Sequence, residues 1–380
     1  MFLSVFILTG CWDYQGLGEQ AVVAGIAVDL GEEGRGYTLT FEIVDINGAQ
    51  DGQFASILLT TSGETLVEAV YDAYAKLHGH VYLGVVDVVI VGRQVAEQVG
   101  LRPLVNYLIR DENARSSLRI VIAGTETAAE LFGPVDQEEG AGGEKGPAQG
   151  QGQEIILSKV LGESLSPRRQ GTSNATDVRA VYEIYHILNR GTSDLVLPIV
   201  GASEAEDIPF QLDGLALFIG DSMKGTLSEA DMSTYLLATT GLRDRVLPVE
   251  MEGPTGERER RVLAVRHSRA EVRFVPEGGA VRFLVNVRVS ADMLGLPEGS
   301  DVLDRATVRR IELAAERALS DQVLELAERL RDEGHDILGF ATALRHHDPR
   351  LWEQIAGDWN ARLRDSEIDV WVEVRKRRAA

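Results

Sequence analysis

The sequence predicts a multi-domain α+β protein, a mixed architecture dominated by β-strands with a long helix pair near the C-terminus. Three observations carry that expectation. The chain has 380 residues, against roughly 100–200 for a single domain. Helical and strand periodicities alternate through its first half. Its second half runs through many strand patterns, then two helical stretches and a closing strand, the order expected of an α+β domain.

Taken in order, Ala21 to Asp29 reads as a buried strand, and Gly31, Gly34 and Gly36 mark a reversal. Tyr37, Leu39, Phe41 and Ile43 then alternate with Thr38, Thr40 and Glu42, the period of a half-buried strand. Thr61 and Glu64 have the spacing of a capping box ahead of Leu66, Val70, Ala73, Tyr74 and Leu77, which recur at helical spacing. A strand is expected at Val85 to Val91, a helix on Leu101, Leu104, Val105 and Leu108, and a strand at Leu118 to Ala123.

Residues 133–153 hold seven glycines and almost no large apolar side chain, the composition of an exposed flexible insertion. They lack the glycine spacing and the Lys-Ser/Thr pair of a phosphate loop. A helix on Val178, Val181, Tyr182, Tyr185 and Leu188 ends at Gly191. Leu195 to Val200 is a strand that Pro198 assigns to a sheet edge. The acidic stretch Ala202 to Pro209 divides an N-terminal region, 11–206, from a C-terminal α+β domain, 207–380.

That second region opens with Gly214 to Ile219 and a hairpin turn at Gly220-Asp221. Strands follow, clearest where Val281, Phe283, Val285, Val287 and Val289 alternate with polar residues. Asp304 to Glu333 is a long helix with Ile311, Ala315, Ala318, Gln322 and Leu326 near one stripe. A second helical stretch sets Trp352 and Trp359 on one face, and the last strand puts Ile368, Val370, Val372 and Val374 on one side.

The formal net charge of −21 disfavours broad nucleic-acid binding, which draws its affinity from cations replacing phosphate counterions. It also argues against attachment to an anionic leaflet through a basic face. The chain has one cysteine, so an internal disulfide and an all-Cys metal site are both ruled out.

The position of that cysteine carries more information. Phe2 to Leu8 is an apolar run with one serine, followed by Leu8-Thr9-Gly10-Cys11, the order of a short export segment (1–10) ending in a lipobox. Leu8, Thr9 and Gly10 form the signal-peptidase recognition sequence; the small Thr9 and Gly10 let the peptidase reach the backbone beside Cys11, whose thiol takes the diacylglycerol. Two acyl chains matter because each buried methylene contributes about 0.8 kcal/mol and one chain gives only marginal attachment. No Lys or Arg precedes Cys11, so the leader is expected to start upstream or to be truncated. The same eleven residues also admit a buried N-terminal strand with an incidental cysteine.

These motifs together resemble the Ger(x)C family of spore germination lipoproteins, the C subunits of GerA-type germinant receptors. The resemblance begins at Gly10-Cys11-Trp12-Asp13 and Ala21-Val22-Val23-Ala24-Gly25-Ile26, and continues through Gly63-Glu64-Thr65-Leu66, Tyr82-Leu83-Gly84, Leu108-Ile109-Arg110-Asp111 and Leu197-Pro198-Ile199. Its more specific part is C-terminal: Ile311-Glu312, Gln322, Asp336-Ile337-Leu338-Gly339-Phe340, Trp352 and Trp359, in the family's order and spacing. Departures are Val85 in place of a common histidine, Ala341 in place of a frequent glycine, the 133–153 insertion, and a last strand without its usual glycine-containing ending. The resemblance implies a subunit on the outer face of the spore inner membrane, anchored through Cys11 and working with integral membrane A and B subunits. It implies no catalytic residue and no cofactor beyond the diacylglycerol, with or without an N-acyl group, on Cys11.

Trp12, Asp13, Gln322, Asp336, Gly339, Phe340, Trp352 and Trp359 are the candidates for structural or partner-contact roles. Gly339 is read as allowing close backbone packing between the helical segments, and the tryptophans as core anchors. His335, His346 and His347 cluster near Asp336 and Asp348, but their spacing does not match a zincin helix, and no metal site is expected. Arg375 to Arg378 reads as a solvated tail. No Gly-x-Ser-x-Gly elbow occurs and the thiol of Cys11 is committed to lipid, so the chain is not expected to be an enzyme. Two alternatives stand beside this reading: a solute-binding lipoprotein of a transporter, built as two lobes of βαβ repeats around a cleft, and an intracellular enzyme with a misread N-terminus.

Overall fold

The computed structural model describes residues 20–50, 53–77, 80–133, 156–165, 178–191, 193–203, 209–239, 241–252, 258–277, 280–294 and 305–376. The N-terminal leader, Cys11, Trp12, Asp13 and nearly all of the 133–153 segment lie outside these residues.

The chain begins with β1 (Gln20–Leu30), β2 (Tyr37–Gln50) and β3 (Gln53–Gly63), an antiparallel meander. After α1 (Leu66–Leu77), β4 (His80–Tyr82) and β5 (Val88–Val91) both run parallel to β1. Then come α2 (Arg102–Arg110), β6 (Arg119–Ala123), α3 (Leu157–Ser164), α4 (Val181–Arg190) and β7 (Val196–Ala202), with β5, β6 and β7 parallel. A hairpin of β8 (Phe210–Ile219) and β9 (Ser222–Leu227) closes the sheet, whose order is β3-β2-β1-β5-β6-β7-β8-β9 with β4 beside β1. Helices α1, α2 and α4 cover one face through Val70, Leu104, Leu108, Val181 and Ile184. Helix α3 and the short turn Ala129–Phe132 cover the other through Leu161, Leu131 and Phe132.

The remainder is α5 (Glu229–Ala238), β10 (Arg243–Glu252), β11 (Arg258–Glu277), β12 (Ala280–Leu294), α6 (Arg305–Glu333), α7 (Phe340–His347), α8 (Pro349–Ile355), α9 (Trp359–Arg364) and β13 (Glu367–Lys376). Strands β10, β11 and β12 form an antiparallel meander, and β13 adds to β12 in parallel. The outer edge of β13 is occupied by α6: Ser320 Oγ accepts from Val372 N at 3.2 Å and Glu316 Oε1 from Val374 N at 3.2 Å. An edge held by helix side chains cannot template a further strand. Helix-linked parallel strands occur in the first sheet, β1-β5-β6-β7, and the second sheet is a meander with β13 added, so the architecture departs from the two lobes of βαβ repeats that the solute-binding alternative predicts.

The mixed α+β class matches the sequence reading, and several details differ. The first capping box is one turn later than expected. Glu68 N–H donates to Thr65 Oγ1 at 3.2 Å and Thr65 N–H to Glu68 Oε2 at 3.1 Å. Thr61 instead lies buried in β3, a strand the pattern did not announce. Pro198 is not at an edge, since β7 lies between β6 and β8. It is accommodated because the ladder to β6 begins only at Ile199. Gln322 is exposed; the buried stripe of α6 is Ala315, Leu319, Val323, Leu326, Ala327 and Leu330. The second helical stretch is broken at Asp348, whose side chain accepts from Arg350 N and Leu351 N ahead of Pro349 at the start of α8. The division expected at residue 206 falls between β7 and β8, which are hydrogen-bonded neighbours.

Candidate functional site

The residues singled out in the C-terminal half converge at the junction of the two sheets. Helix α6 stops at Gly334, whose φ of 85° is the left-handed geometry that favours glycine. The chain then turns so that Asp336, 3% exposed, faces four donors. Its Oδ1 accepts from Gly339 N at 3.1 Å and Phe340 N at 2.7 Å. Its Oδ2 accepts from Ala341 N at 2.8 Å and the Trp359 indole Nε1 at 3.0 Å. The first three are free amides at the start of α7, where a carboxylate offsets both the unmade hydrogen bonds and the helix dipole. The fourth ties α9 to the same point.

Gly339 also has a positive φ, 85°, while a Cβ built there meets nothing within 4 Å. The expected close packing at this glycine is therefore not found. What requires glycine is the backbone conformation that aims three amides at one carboxylate. Phe340 is fully buried, with its ring 4.8 Å from that of Phe283. Trp359 stacks edge-on to Phe283 at 6.3 Å and to Trp352 at 5.4 Å. Asp336, Gly339, Phe340, Trp352 and Trp359 are thus one assembly, and Gln322 is not part of it.

Asp336 reaches across to the first sheet through its backbone. Its N–H donates to Asp194 Oδ2 at 2.7 Å, and Asp194 N–H donates to the Asp336 carbonyl at 3.1 Å. Burial pushes the Asp336 carboxyl up to about 6, against the pull of its four donors. Burial also raises Asp194 to about 7, with the charge of Asp336 adding to the rise. No sequence pattern marked Asp194; it is an isolated acid before β7, and only the fold sets it opposite Asp336. A cleft of about 510 Å³ opens beside the pair, lined by Ile187, Leu188, Asp194, Ile219, Trp359 and Arg364 among others.

His335 is buried beside Gly225, and burial lowers its pKa. His346 and His347 are exposed at the end of α7, where His347 lies 5.5 Å from the ring of Phe274. Among the described residues no group of three or more His, Cys, Asp or Glu is placed to hold a metal ion. Arg375 is exposed and pairs with Glu373 at 2.7 Å; Arg377 and Arg378 lie outside the described residues.

A second buried carboxylate, Glu42, serves the first domain in the same way. It accepts from Leu157 N at 2.7 Å, Ser158 N at 2.9 Å, Ser56 Oγ at 3.2 Å and the Ser158 hydroxyl. Burial raises its pKa and these donors oppose the rise. Glu42 and Ser158 are both fully enclosed, so the pair holds the start of α3 against β2 and presents nothing to solvent.

Comparison with known proteins agrees with this organisation. Residues 13–202 match the model of the spore germination protein N-terminal domain, and residues 213–379 match the model described as spore germination B3/GerAC like, C-terminal. Spore germination protein KC of Bacillus subtilis (strain 168) is 22% identical over an alignment that covers 100% of this chain and 94% of that protein. Spore germination protein B3 of the same organism is 21% identical, over 95% of this chain and 91% of its own. A crystal structure of the GerBC protein shares the fold with a TM-score of 0.55 at 16% identity, covering 93% of this chain and 97% of that one. The chain belongs to the Ger(x)C, or GerAC-like, family of spore germination proteins.

Proposed function

We propose that this chain is the lipid-anchored C subunit of a nutrient germinant receptor. It sits on the outer face of the spore inner membrane, held there by acyl groups on Cys11, and works in receptor assembly or signalling with integral membrane A and B subunits. The observation that carries this reading is the family match running through both halves of the chain, 13–202 and 213–379. A non-enzymatic role is supported by the use made of the most buried carboxylates. Asp336 and Glu42 are occupied by backbone and side-chain donors that organise helix starts.

The test is made in the producing organism. A Cys11→Ser chain is expected to lose acyl labelling and leave the spore membrane fraction, and a deletion strain without paralogues is expected to lose nutrient-triggered germination. Normal nutrient germination in that deletion strain would overturn the receptor reading. Unchanged membrane retention of Cys11→Ser would overturn the anchor.

A further inference from the structure

Helix α1 is apolar over more of its circumference than its packing uses. Leu66, Ala69, Val70 and Ala73 face the core. Successive residues turn by about 100°, so Glu68, Asp72 and Lys76 form one column and Val67, Tyr71 and Ala75 another. The polar column is engaged with neighbouring backbone. Lys76 Nζ donates to Thr60 O at 3.0 Å and pairs with Asp72 at 2.9 Å, Asp72 accepts from Ser62 N at 3.3 Å, and Glu68 closes the capping box. The apolar column is open to solvent, with Val67 49% and Tyr71 65% exposed and Ala75 exposed beside them.

This column lies next to the point where the chain from Cys11 enters the fold. The Tyr71 ring is 5.3 Å from that of Tyr74, and Tyr74 meets the His80 ring edge-on at 5.3 Å. His80 is paired with Gln20, the first residue of β1. From Cys11 to Gln20 is nine residue steps, a covalent reach of at most about 32 Å. Whatever surface holds Cys11 therefore lies within that distance of Gln20 and of the α1 column next to it.

We propose that Val67, Tyr71 and Ala75 form a lipid-contact surface that rests on the headgroup layer beside the anchor and sets the orientation of the folded body on the membrane. The proposal rests on the acylation of Cys11. Its chemistry suits this chain. A protein of net charge −21 gains nothing from a general electrostatic pull toward an anionic leaflet. Tyrosine, with an apolar ring and a polar tip, is favoured at the membrane–water interface without needing charge. The acidic residues of α1 belong to the other column, bound to β3 and to the cap, and the carboxylate that faces Tyr74 from another element, Asp111, accepts from the Tyr107 hydroxyl at 3.2 Å.

The experiment uses the full-length acylated protein in vesicles of phosphatidylglycerol and phosphatidylethanolamine containing doxyl-labelled lipid. The anchor consumes the thiol of Cys11, the chain's one cysteine, so Ala75→Cys supplies a single site for an environment-sensitive fluorophore. Arg273→Cys, exposed on β11, gives the comparison. Blue-shifted emission and doxyl quenching at position 75, with a water-like label at position 273, is the expected result. Tyr71→Cys repeats the measurement at a second position of the column. Vesicle-bound protein whose labels at 71 and 75 both stay water-like overturns the contact surface while leaving the anchor intact. A mature mass without glyceride overturns both. A blue shift in native spore membranes but not in protein-free vesicles assigns the column to a protein partner and overturns the lipid contact.

Discussion

Replacing Asp336 with alanine removes the acceptor for four donors at once. The amides of Phe340 and Ala341 and the Trp359 indole are bonded in buried surroundings, whereas the Gly339 amide is partly open and can turn to water. Leaving a buried donor unsatisfied costs about 1–3 kcal/mol, so three such groups amount to roughly 3–6 kcal/mol after some relaxation. Relief from burying a carboxylate that burial already disfavours offsets part of this, since its pKa stands at about 6. A net loss of about 3–4 kcal/mol is expected, a large share of the 5–15 kcal/mol typical of a domain. Asp336→Asn keeps one acceptor oxygen and should lose about half as much. The assay is urea unfolding of the full chain carrying Cys11→Ser, followed by tryptophan emission and far-ultraviolet circular dichroism. A double-mutant cycle with Trp359→Phe isolates the indole bond. A loss below about 1 kcal/mol for Asp336→Ala, the level of an ordinary exposed pair, would refute the claim that this carboxylate organises the junction.

Two further predictions concern neighbouring logic. Asp194 titrates at about 7 in the folded chain. The native state therefore holds its proton more tightly than the unfolded state, whose aspartates titrate near 3.9, and stability falls as pH rises through the interval between these values. Asp194→Asn keeps an oxygen for the Asp336 amide, so it should flatten that slope and gain about 1–3 kcal/mol over the native chain at pH 8; a variant that loses stability as steeply as the native chain between about pH 4 and pH 7 would contradict the assignment. For the first helix, Thr65→Ala should cost about 1 kcal/mol through the lost cap, whereas Thr61→Val, at a buried hydroxyl with no hydrogen-bond partner among the described residues, should be neutral or stabilising. Urea midpoints separate the two, and the reverse ranking would return the cap to Thr61.

The sequence made legible whatever depends on short-range periodicity. Strands β1, β2, β12 and β13 and helices α2, α4 and α6 follow from alternation or helical spacing in residues such as Tyr37 to Ile43 and Val281 to Val289. Less legible were elements whose role depends on a distant neighbour. Strand β3 carries Ser56 and Thr60 because β2 offers their hydroxyls partners in Glu42 and Thr40, and its polar composition hides it. Helix α5 was signalled by Ser228 capping Asp231 N, a cue masked by its continuously apolar Tyr235 to Ala238. Pro198 misled for a related reason. The rule assigning proline to edges assumes a full ladder on both sides, and β6 supplies only two paired positions. At the junction, Asp336, Gly339, Phe340 and Trp359 could be named from their motif, but Asp194 could not. Its role exists only once the two sheets have docked.

That docking makes the two matched regions one structural unit despite the gap between them at residues 203–212. The largest buried cluster includes Val196, Leu215, Leu217 and Leu227 from the first sheet together with Phe283, Leu326, Phe340 and Trp359 from the second region. Helix α5 lies between them, with Met232, Tyr235 and Leu236 buried in the same core. A cut at 203–212 would therefore separate β7 from β8 along a hydrogen-bonded ladder and leave Leu215 and Leu217 on a strand without its inner neighbour. The reciprocal bonds between Asp194 and Asp336 fall at the rim of this shared core, where the chain leaving α4 meets the chain leaving α6. Apolar surface holds the two regions together without direction. The Asp194–Asp336 pair adds direction, since its two short bonds are satisfied in only one relative placement of the sheets. Movement of one region against the other must break those two bonds, leaving the Asp336 amide without its carboxylate acceptor and the Asp194 amide without the Asp336 carbonyl. The directional link between the regions thus joins Asp336, which belongs to the most recognisable motif in the chain, to Asp194, which no motif marked.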